Sequence, residues 1–466
     1  MADTEAEDSS MASLDEDGIT NVLNQYKVDD RVEDEYFSSY EDVEIHRLMI
    51  SDHPRTSSYA DAIRKNKHLF RGKVVMDVGA GTGILSLFMA AAGARKVYAV
   101  EASGMAAIIE RVAHDNGFSD VIKVFPDKVE NISLKENEKV DVLVSEWMGF
   151  YLLHESMLNS VITARDKFLS DNGTIFPSEA RLYACPCSLQ ALYKEQINFW
   201  NNVYNFDMSA VKDVALKSKM KKPEVCLVPK SDLLAEPSCV KTFNLRWVTG
   251  EEVKSFTETS FVGITRAGLY QGLCLWFECD FDGREYDEEG KEKGRLVTLS
   301  TSPSSPPTHW KQTVVVLGYG ADLTNNQFDQ SCQSEASNSE DSSTPKQSES
   351  EETNCKPGPS QCRDSPSIGC KEKALGTKDK IQESSYRKEE LLVQKDYEVD
   401  EDEVVGWRLI FAQSKENIRH YTMTVEMLDP ETEEHPIPCA CPMPRCMIIA
   451  KMMESETEGD DAIDCT

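Results

Sequence analysis

The chain contains 466 residues, of which 81 are acidic and 50 basic, so its net charge is −31. This charge argues against general attraction to nucleic-acid phosphate and favours basic partners, while the length exceeds that of a single core and predicts at least two domains. No run approaches the roughly 20 apolar residues of a membrane span, and the acidic N-terminus is unlike a secretion signal. We therefore expect an intracellular protein whose 14 cysteines are thiols.

Residues 1–30 are acidic and poor in aromatic side chains, which predicts a disordered acidic arm. Residues 31–177 predict an α/β domain, because short β-branched runs alternate with helical stretches. The four strand-like runs lie at 73–79, 96–102, 121–126 and 140–146. A repeated β-α unit of this kind implies a parallel sheet.

Residues 178–324 contain shorter alternating segments, which predict an antiparallel, barrel-like second domain. Within it, residues 191–217 are rich in aromatic side chains and are expected to be helical or irregular, as an arm that reaches a partner. Residues 325–399 are rich in Ser, Glu and Pro and predict a disordered insert. Apolar alternation over 400–430 predicts the return of the barrel, and 431–466 remain as a tail.

One tight group of metal-ligand residue types occurs in this tail, namely His435, Cys439, Cys441 and Cys446. The short Cys-x-Cys spacing, crowded by prolines, is awkward for tetrahedral coordination. The prediction is therefore a solvent-exposed cysteine tail and no metal site, with zinc as the alternative that the sequence leaves open.

The segment DVGAGTGIL, residues 77–85, follows a predicted strand and opens a helix, a setting in which a ligand can approach the backbone closely. Its glycines are spaced G-x-G-x-G, unlike the G-x-G-x-x-G of dinucleotide sites. Glu101 ends the second strand, where an acidic side chain can bind both ribose hydroxyls. These features predict an adenosine ligand without a pyrophosphate; the alternative is an ordinary strand-to-helix turn with an exposed Glu101.

Two carboxylates, Glu146 and Glu155, lie in the otherwise apolar segment SEWMGFYLLHESML, residues 145–158. Two like charges in a poorly hydrated site repel each other, and a cation between them removes the repulsion. A guanidinium suits two carboxylates best because it is planar, always charged and has five donors. The alternative is that Glu146 caps a helix and Glu155 is solvated.

This segment closely resembles the double-glutamate loop of the type I protein arginine methyltransferases. Three further elements resemble that family in the correct order: residues 36–56, the glycine loop at 77–85, and the Thr-His-Trp loop in STSPSSPPTHWKQ at 300–312. The resemblance runs from about residue 35 to 320 and resumes near 404. It implies a Rossmann-like S-adenosylmethionine-dependent methyltransferase domain over 31–177, followed by a β-barrel domain with a dimerisation arm near 191–217.

The resemblance also implies roles for single residues. Glu146 and Glu155 would bind the substrate guanidinium, while His309 would support the site with Asp52 as a proton relay. The substrate pocket would further include Tyr36, Tyr40, Met49 and Met157, the two methionines restricting the room around the accepting nitrogen. The implied cofactor-binding residues are His46, Arg55, Asp77, Gly79, Gly81, Gly83, Glu101 and Glu130, with Arg55 paired to the cofactor carboxylate.

The function implied is transfer of methyl groups from S-adenosylmethionine to arginine in histone tails or Arg/Gly-rich proteins, giving monomethyl and asymmetric dimethylarginine. A homodimer located in the nucleus, and also in the cytoplasm, is expected, with neither a membrane nor a nucleic acid as direct partner. Two other hypotheses are methylation of nucleic acid or a small molecule, and a scaffold that binds arginine-rich partners without turnover. SEWMG at residues 145–149 disfavours the former, since amino-methylating nucleic-acid enzymes carry an Asn- or Asp-Pro-Pro-aromatic motif there.

Overall fold

The structure, a computed structural model, describes residues 36–136, 138–286, 292–318, 327–328 and 397–460. All of them belong to one compact unit, bounded by Met1–Gln330 and Gln394–Thr466. The predicted acidic arm and most of the predicted insert lie outside the described residues. Among the helices described, none combines the length and apolar character that crossing a membrane requires.

A five-stranded parallel sheet forms the first half of the fold. Its strands are β1 (Val74–Val78), β2 (Lys96–Val100), β3 (Ile122–Phe125), β4 (Val140–Ser145) and β5 (Leu169–Phe176). The spatial order is β3-β2-β1-β4-β5, so β1 lies between β2 and β4, and Val75 pairs with Val97 on one side and Val142 on the other. Every residue of β1 is buried because helices cover both faces. The strand order reverses beside β1, which is where open α/β sheets bind ligands.

Six helices accompany this sheet. They are α1 (Val43–Ser51), α2 (His53–Lys65), α3 (Lys67–Phe70), α4 (Ile84–Ala91), α5 (Ala106–Asp115) and α6 (Leu158–Phe168). A further helical turn occupies residues 36–39. Asp42 caps α1 by accepting from the Glu44 amide at 2.9 Å, and Asp52 caps α2 by accepting from the Arg55 amide at 3.1 Å. These caps fix the two helices that lie over the carboxyl ends of the strands.

The four predicted strands are present as β1 to β4, whereas β5 was not predicted. The sequence of β5, LSDNGTIF, has exposed Asp171 and Asn172 at its centre and lacks the apolar run of a buried strand. Its position at the edge of the sheet explains this composition, because only part of an edge strand is buried.

Antiparallel strands form the barrel domain. The larger sheet contains β6 (Glu179–Cys187), β7 (Glu224–Cys226), β8 (Ser238–Asn244), β11 (Gly272–Asp282), β14 (Leu296–Ser300) and β15 (Gln312–Val316). A four-stranded sheet contains β9 (Ser255–Gly263), β16 (Gln327–Phe328), β18 (Val404–Gln413) and β19 (Tyr421–Leu428). Two short pairs are β10 (Gly268–Leu269) with β17 (Glu398–Val399), and β12 (Glu285–Tyr286) with β13 (Glu292–Lys293).

Aromatic side chains join these layers into one core. Phe256 of β9 contacts Phe243 of β8 at 5.8 Å and Phe411 of β18 at 4.9 Å between ring centroids. Phe281 of β11 packs on Tyr59 of α2 at 4.7 Å, which joins the barrel to the parallel-sheet half. Burial of such rings is a large stabilising contribution.

The barrel extends into both ends of the predicted insert. Gln327–Phe328 pairs with β19, and Glu398–Val399 pairs with β10, although both segments were assigned to the insert. These strands are only two residues long, which is too short for a sequence periodicity to reveal.

The predicted arm has mixed helical structure. It contains α7 (Gln190–Leu192), a π-helical segment at Tyr193–Ile197, 3-10 turns at Asn198–Asn201 and Ser209–Val211, and α8 (Lys212–Lys219). A short helix α9 (Gly250–Lys254) precedes β9.

The prediction of an exposed cysteine tail is wrong. After β19 the chain folds back onto the barrel and then forms helix α10 (Pro444–Asp460). Cys441 and Cys446 are 2% and 3% exposed and pack with Phe261 of β9 in a small separate cluster.

Candidate active site

A cavity of about 210 Å³ lies at the carboxyl ends of β1, β2 and β4. Most of the residues selected from the sequence line it: Tyr36, Tyr40, His46, Met49, Arg55, Gly79, Gly81, Glu101, Glu130, Glu146, Glu155, Met157 and His309. Asp52, Asp77 and Gly83 do not line the cavity and lie behind residues that do. One concave site therefore collects side chains that are up to 273 positions apart, from Tyr36 to His309.

Helix α1 covers the glycine loop. His46 is 3% exposed, and its Nε2 lies 2.8 Å from the carbonyl oxygen of Tyr40. A side chain at Gly81 would approach the His46 ring within 3.3 Å, so the loop and the helix are in close contact. Helix α1 is thus placed to cover a ligand that binds on the loop.

The glycine loop is shaped for a ligand close to the backbone. Gly79 has a φ of 72°, and a Cβ there would lie 2.6 Å from the Cε of Met157. The positive φ favours glycine, and any larger residue would displace the end of the Met157 side chain. Glu101 is 7% exposed, and its carboxylate accepts from the amides of Gly81 at 2.7 Å and Ser103 at 2.8 Å. The alternative of an exposed Glu101 on an ordinary turn does not agree with this burial.

Asp77 lies beneath the loop and is completely buried. Its Oδ2 accepts from Ser86 at 2.7 Å, while Oδ1 has no hydrogen-bond partner among the described residues. Burial, and to a lesser degree the charge of Glu101, raises the pKa of Asp77 to about 7. A cationic group of a bound ligand near this carboxyl would favour its charged form.

The segment between Glu146 and Glu155 forms a tight hairpin. Tyr151, Leu152, Glu155 and Ser156 all have positive φ, and Gly149 forms a bridge with Leu152. A Cβ at Gly149 would lie 2.2 Å from the carbonyl oxygen of His154. Positive φ is unfavourable for residues other than glycine, so the surrounding structure must hold the hairpin in this conformation. Strained backbone of this kind is common at functional sites.

Glu146 is paired with Arg55 in this structure. Its Oε2 accepts from Arg55 Nε at 2.9 Å and from Nη2 at 2.6 Å, and both side chains are less than a tenth exposed. Its Oε1 accepts from the Met148 amide at 3.2 Å. That Arg55 pairs with a cofactor carboxylate stays a prediction; in this structure its guanidinium lies on the glutamate assigned to the substrate. Glu146 therefore already binds a guanidinium.

Glu155 is held by two tyrosines. Its Oε2 accepts from Tyr40 Oη at 2.5 Å and from Tyr36 Oη at 3.0 Å. Burial raises the pKa of Glu155, although the two tyrosine hydrogen bonds oppose that shift. Burial and the Glu155 charge also raise the pKa of both tyrosines, so they remain protonated donors. The alternative in which Glu155 is a solvated residue does not agree with these contacts.

The barrel completes this arrangement through Arg419, in the turn between β18 and β19. The Glu155 amide donates to the Arg419 carbonyl oxygen at 2.7 Å, and Arg419 Nη1 donates to the Glu155 carbonyl oxygen at 3.0 Å. The Arg419 guanidinium also lies 4.1 Å from the centroid of the Tyr36 ring. Sequence reasoning missed Arg419 because no motif marks this turn, and only the folded barrel places it beside Glu155.

His309 is oriented by Asp52. Asp52 Oδ2 accepts from His309 Nδ1 at 2.6 Å and from the His309 amide at 2.8 Å. Burial opposes ionisation of Asp52, but the His309 hydrogen bonds outweigh it and lower the pKa of Asp52. The two contacts with Asp52 fix the orientation of the imidazole in the cavity wall. Trp310 Nε1 donates to the Met148 carbonyl oxygen at 3.0 Å, which joins this loop to the glutamate hairpin.

The charges around the cavity favour a cationic ligand. Five carboxylates line it, namely Glu101, Asp127, Glu130, Glu146 and Glu155, against the two cations Arg55 and Lys128. Glu130 Oε1 accepts from Ser160 at 2.7 Å. A partly enclosed site with this excess of negative charge attracts ligands that carry a guanidinium, an ammonium or a sulfonium.

Comparisons with known proteins point in the same direction. Residues 178–346 match the family described as the arginine methyltransferase oligomerization subdomain, and residues 51–175 match that of ribosomal protein L11 methyltransferase. The chain is 42% identical over 306 residues to the probable protein arginine N-methyltransferase 6 of Arabidopsis thaliana, covering 60% of this chain and 70% of the relative. It is 43% identical over 308 residues to protein arginine N-methyltransferase 6 of Danio rerio, covering 65% and 85%.

A solved structure extends the likeness to the fold. The structure is similar to the Trypanosoma brucei PRMT1 enzyme-prozyme heterotetrameric complex with AdoHcy, with a TM-score of 0.60 and 28% identity. The match covers 86% of this chain and 98% of that chain, so it includes both the parallel-sheet half and the barrel.

Proposed function

Because the chain belongs to the protein arginine N-methyltransferase family, we propose that it transfers methyl groups from S-adenosylmethionine to arginine side chains of basic protein segments. The predicted family, fold class and enzyme class are confirmed by this relationship.

The residues around the glycine loop fit S-adenosylmethionine. The buried carboxylate of Glu101 suits a ribose, and the glycine at position 79 leaves space that a Cβ would fill. The buried Asp77 oxygen, which has no partner in the part of the chain that the structure describes, suits a cationic methionine moiety above it. When bound, S-adenosylmethionine supplies an electrophilic methyl group on a positively charged sulfur, which leaves with the bonding electron pair.

The observation that carries the substrate assignment is the position of Glu146 and Glu155 on two limbs of one hairpin, both facing the cavity. Arg55 uses Oε2 of Glu146, and the tyrosines use Oε2 of Glu155. A substrate guanidinium would then contact Oε1 of Glu155, and Oε1 of Glu146 beside the Met148 amide that this oxygen already accepts from. Two carboxylates would orient that guanidinium and concentrate its positive charge on the nitrogens they contact, which leaves the remaining nitrogen more nucleophilic.

The surroundings of Glu155 also support a role for this residue in proton transfer. The accepting nitrogen gains a methyl group and must lose one proton. We assign Glu155 as the base, because burial raises the pKa of its carboxyl and so makes it a better proton acceptor. His309, oriented by Asp52, is a second polar group in the cavity wall that supports the site.

The substrate class proposed is arginine in histone tails or Arg/Gly-rich segments, and the product is monomethyl and then asymmetric dimethylarginine. The excess of carboxylates around the cavity and the net charge of −31 support a basic substrate. Met49 and Met157 line the cavity and support the product assignment, since bulky side chains near the nitrogen limit where the second methyl can go.

The test incubates purified protein with labelled S-adenosylmethionine and an Arg/Gly-rich peptide, and identifies the methylated arginines by mass spectrometry. Glu146→Gln and Glu155→Gln are each expected to lower kcat by roughly 100-fold or more, because each removes a charge aimed at the reacting group. Glu44→Gln, in an exposed pair with Arg47, is the matched control and should retain activity. Cofactor binding without methyl transfer to any basic peptide would overturn the proposal, and symmetric dimethylarginine would overturn the product assignment.

A homodimer through the arm is the proposed assembly. Tyr204 and Asn205 form the turn of a small hairpin closed by the bridge between Val203 and Phe206. Tyr204 is 91% exposed and Phe206 71% exposed, so this tip presents apolar surface to solvent. Light scattering should give a dimer for the native chain and a monomer for Tyr204→Ser with Phe206→Ser. Trp247→Ser, at an exposed residue outside the arm, is the control; a native monomer would refute the assembly.

Nuclear localisation is also proposed, on the lysines around the end of α8. Lys217, Lys219, Lys221 and Lys222 lie within six positions, although Lys219 pairs with Glu224 at 3.0 Å. A fluorescent fusion should enter the nucleus, and replacing Lys221 and Lys222 with Ser should reduce entry. A fusion that stays in the cytoplasm would exclude this localisation.

A further inference from the structure

Four side chains of the segment after β19 converge on one point, away from the cavity described above. These side chains are His435, Cys439, Cys441 and Cys446, and their ligand atoms all lie within 4.8 Å of one another. His435 Nδ1 lies 3.5 Å from the Sγ of Cys439, 3.3 Å from that of Cys441 and 3.2 Å from that of Cys446. We propose that these four residues bind one zinc ion that holds this segment on the barrel.

The distances agree with tetrahedral zinc. A Zn–S bond of about 2.3 Å and a Zn–N bond of about 2.0 Å place neighbouring ligand atoms roughly 3.5 to 3.8 Å apart. The three N···S distances lie within a few tenths of an ångström of that range. Three thiolates and one imidazole form a ligand set typical of structural zinc, and thiolates are unsuited to magnesium or calcium.

The histidine is oriented as a metal ligand. His435 Nε2 donates to the Pro430 carbonyl oxygen at 3.1 Å, so Nδ1 is the nitrogen with the lone pair and it faces the three sulfurs. A hydrogen bond from the second ring nitrogen to a carbonyl is the usual outer contact of a metal-bound histidine. The ring also stacks on Phe261 of β9, with centroids 3.6 Å apart and planes 8° apart.

The surrounding chain supports this loop independently of the four ligands. Arg445 Nη2 donates to the carbonyl oxygens of Pro430 at 2.5 Å and Glu433 at 3.1 Å. Pro442 contacts Gly263 at the end of β9, where a Cβ would lie 2.8 Å from the proline ring. The proposed ligands therefore lie in a folded loop that is built against a barrel strand.

The prolines near the cysteines argue against a metal site when only the sequence is considered, but in the fold they favour one. Pro438 and Pro442 flank the Cys439–Cys441 pair, and Pro444 begins helix α10, which carries Cys446 in its first turn. Proline fixes φ and so restricts the loop before any ion binds.

Four protein ligands leave no coordination position for substrate, which makes this a structural zinc site. Binding forms three Zn–S bonds and one Zn–N bond and releases the three thiol protons to solvent, with no redox change.

The test uses the full chain, purified without chelators from cells supplied with zinc. Elemental analysis should find about one zinc per chain, and replacement by Co²⁺ should give the absorption bands of tetrahedral cobalt with thiolate ligands. Cys439→Ser and Cys446→Ser should each lose the zinc, while Cys239→Ser, an exposed free thiol on β8, should retain it. A chelator should lower the Tm of the native chain and of Cys239→Ser, but not that of Cys439→Ser.

Several results would overturn the inference. A native chain with neither zinc nor Co²⁺ uptake, iron in place of zinc, or a disulfide among these cysteines would each do so. Zinc retained by both Cys439→Ser and Cys446→Ser would place the ion elsewhere. Cys446 is buried and its substitution can prevent folding, so the partly exposed Cys439 and the chelator response of the native chain keep the test decisive.

Discussion

Arg55 donates two hydrogen bonds to Oε2 of Glu146, from Nε at 2.9 Å and from Nη2 at 2.6 Å, and the two residues lie 91 positions apart. The pair connects helix α2 to the end of β4 within the wall of the cavity. Because both side chains are buried, each charge depends on the other.

Replacing only one residue of the Arg55–Glu146 pair should therefore destabilise the fold. Arg55→Ala is expected to destabilise the chain by about 3–5 kcal/mol, because it leaves a buried carboxylate unpaired. Adding Glu146→Gln should recover part of the loss, and urea unfolding of the double-mutant cycle measures the coupling. Arg47→Ala, which breaks an exposed pair with Glu44, should change stability by less than about 1 kcal/mol. Additive effects of Arg55→Ala and Glu146→Gln would show that the pair is not coupled.

The tyrosine pair on Glu155 predicts a change in the pH profile. Tyr36→Phe and Tyr40→Phe each remove a hydrogen bond that favours the charged carboxylate, so the pKa of Glu155 should rise further. The acid limb of kcat/KM should then move to higher pH, and kcat should fall roughly ten- to hundredfold. Tyr204→Phe, on the exposed arm, provides the comparison. An acid limb at the native position in both variants would exclude Glu155 as the titrating group.

His154, beside Glu155, predicts how stability depends on pH. Burial, followed by the charge of His420, lowers the pKa of His154 to about 4 from an ordinary value near 6.5. Between these values the unfolded chain binds a proton that the folded chain does not, so this stability is present above pH 6.5 and is lost as pH falls towards 4. Between pH 7 and pH 5 the loss should be about 2 kcal/mol.

Urea unfolding at several pH values checks this expectation. The free energy of unfolding of His154→Gln should depend less on pH over this range than that of the native chain, by about that amount. Parallel pH dependences for the two proteins would mean that His154 titrates normally in the fold.

Gly149 predicts a steric effect on the hairpin. In Gly149→Ala the new Cβ would lie 2.2 Å from the His154 carbonyl oxygen, which is backbone and cannot move aside alone. The hairpin must open, so we expect a loss of about 1–3 kcal/mol and a large fall in kcat because Glu155 shifts. Gly250 is the first residue of helix α9, and the nearest atom to a Cβ at this position lies 4.0 Å away. Gly250→Ala is the control and should be neutral or slightly stabilising. Native kcat in Gly149→Ala would show that the hairpin adapts without moving Glu155.

The parts of the site that the sequence predicted are those that a local stretch determines. The strands β1 to β4 were recognisable as apolar runs, the glycine loop and Glu146 directly follow two of these strands, and Glu155 lies in the hairpin after β4. Contacts between distant segments were not predictable, because no local pattern encodes them. The pairing of Arg55 with Glu146 was not predicted, and Arg419 was not identified at all, since both contacts depend on how the helices and the barrel pack.

The cysteine cluster is a second example of a site that depends on a contact between distant segments. The spacing of His435, Cys439, Cys441 and Cys446 alone argues against a metal site. What the sequence could not supply was the stack of His435 on Phe261, a residue 174 positions earlier, which turns the imidazole toward the sulfurs.

The contact between Arg419 and Glu155 can form only late in the synthesis of the chain. The ribosome synthesises the glutamate hairpin 264 residues before the turn that holds it, with the whole insert in between. At roughly 5–20 residues per second, this interval lasts about 13 to 53 seconds. During that time the nascent chain carries an incomplete catalytic hairpin and should be latent. A chain released at residue 396 is expected to lack methyl transfer, so premature termination in the insert would give an inactive protein.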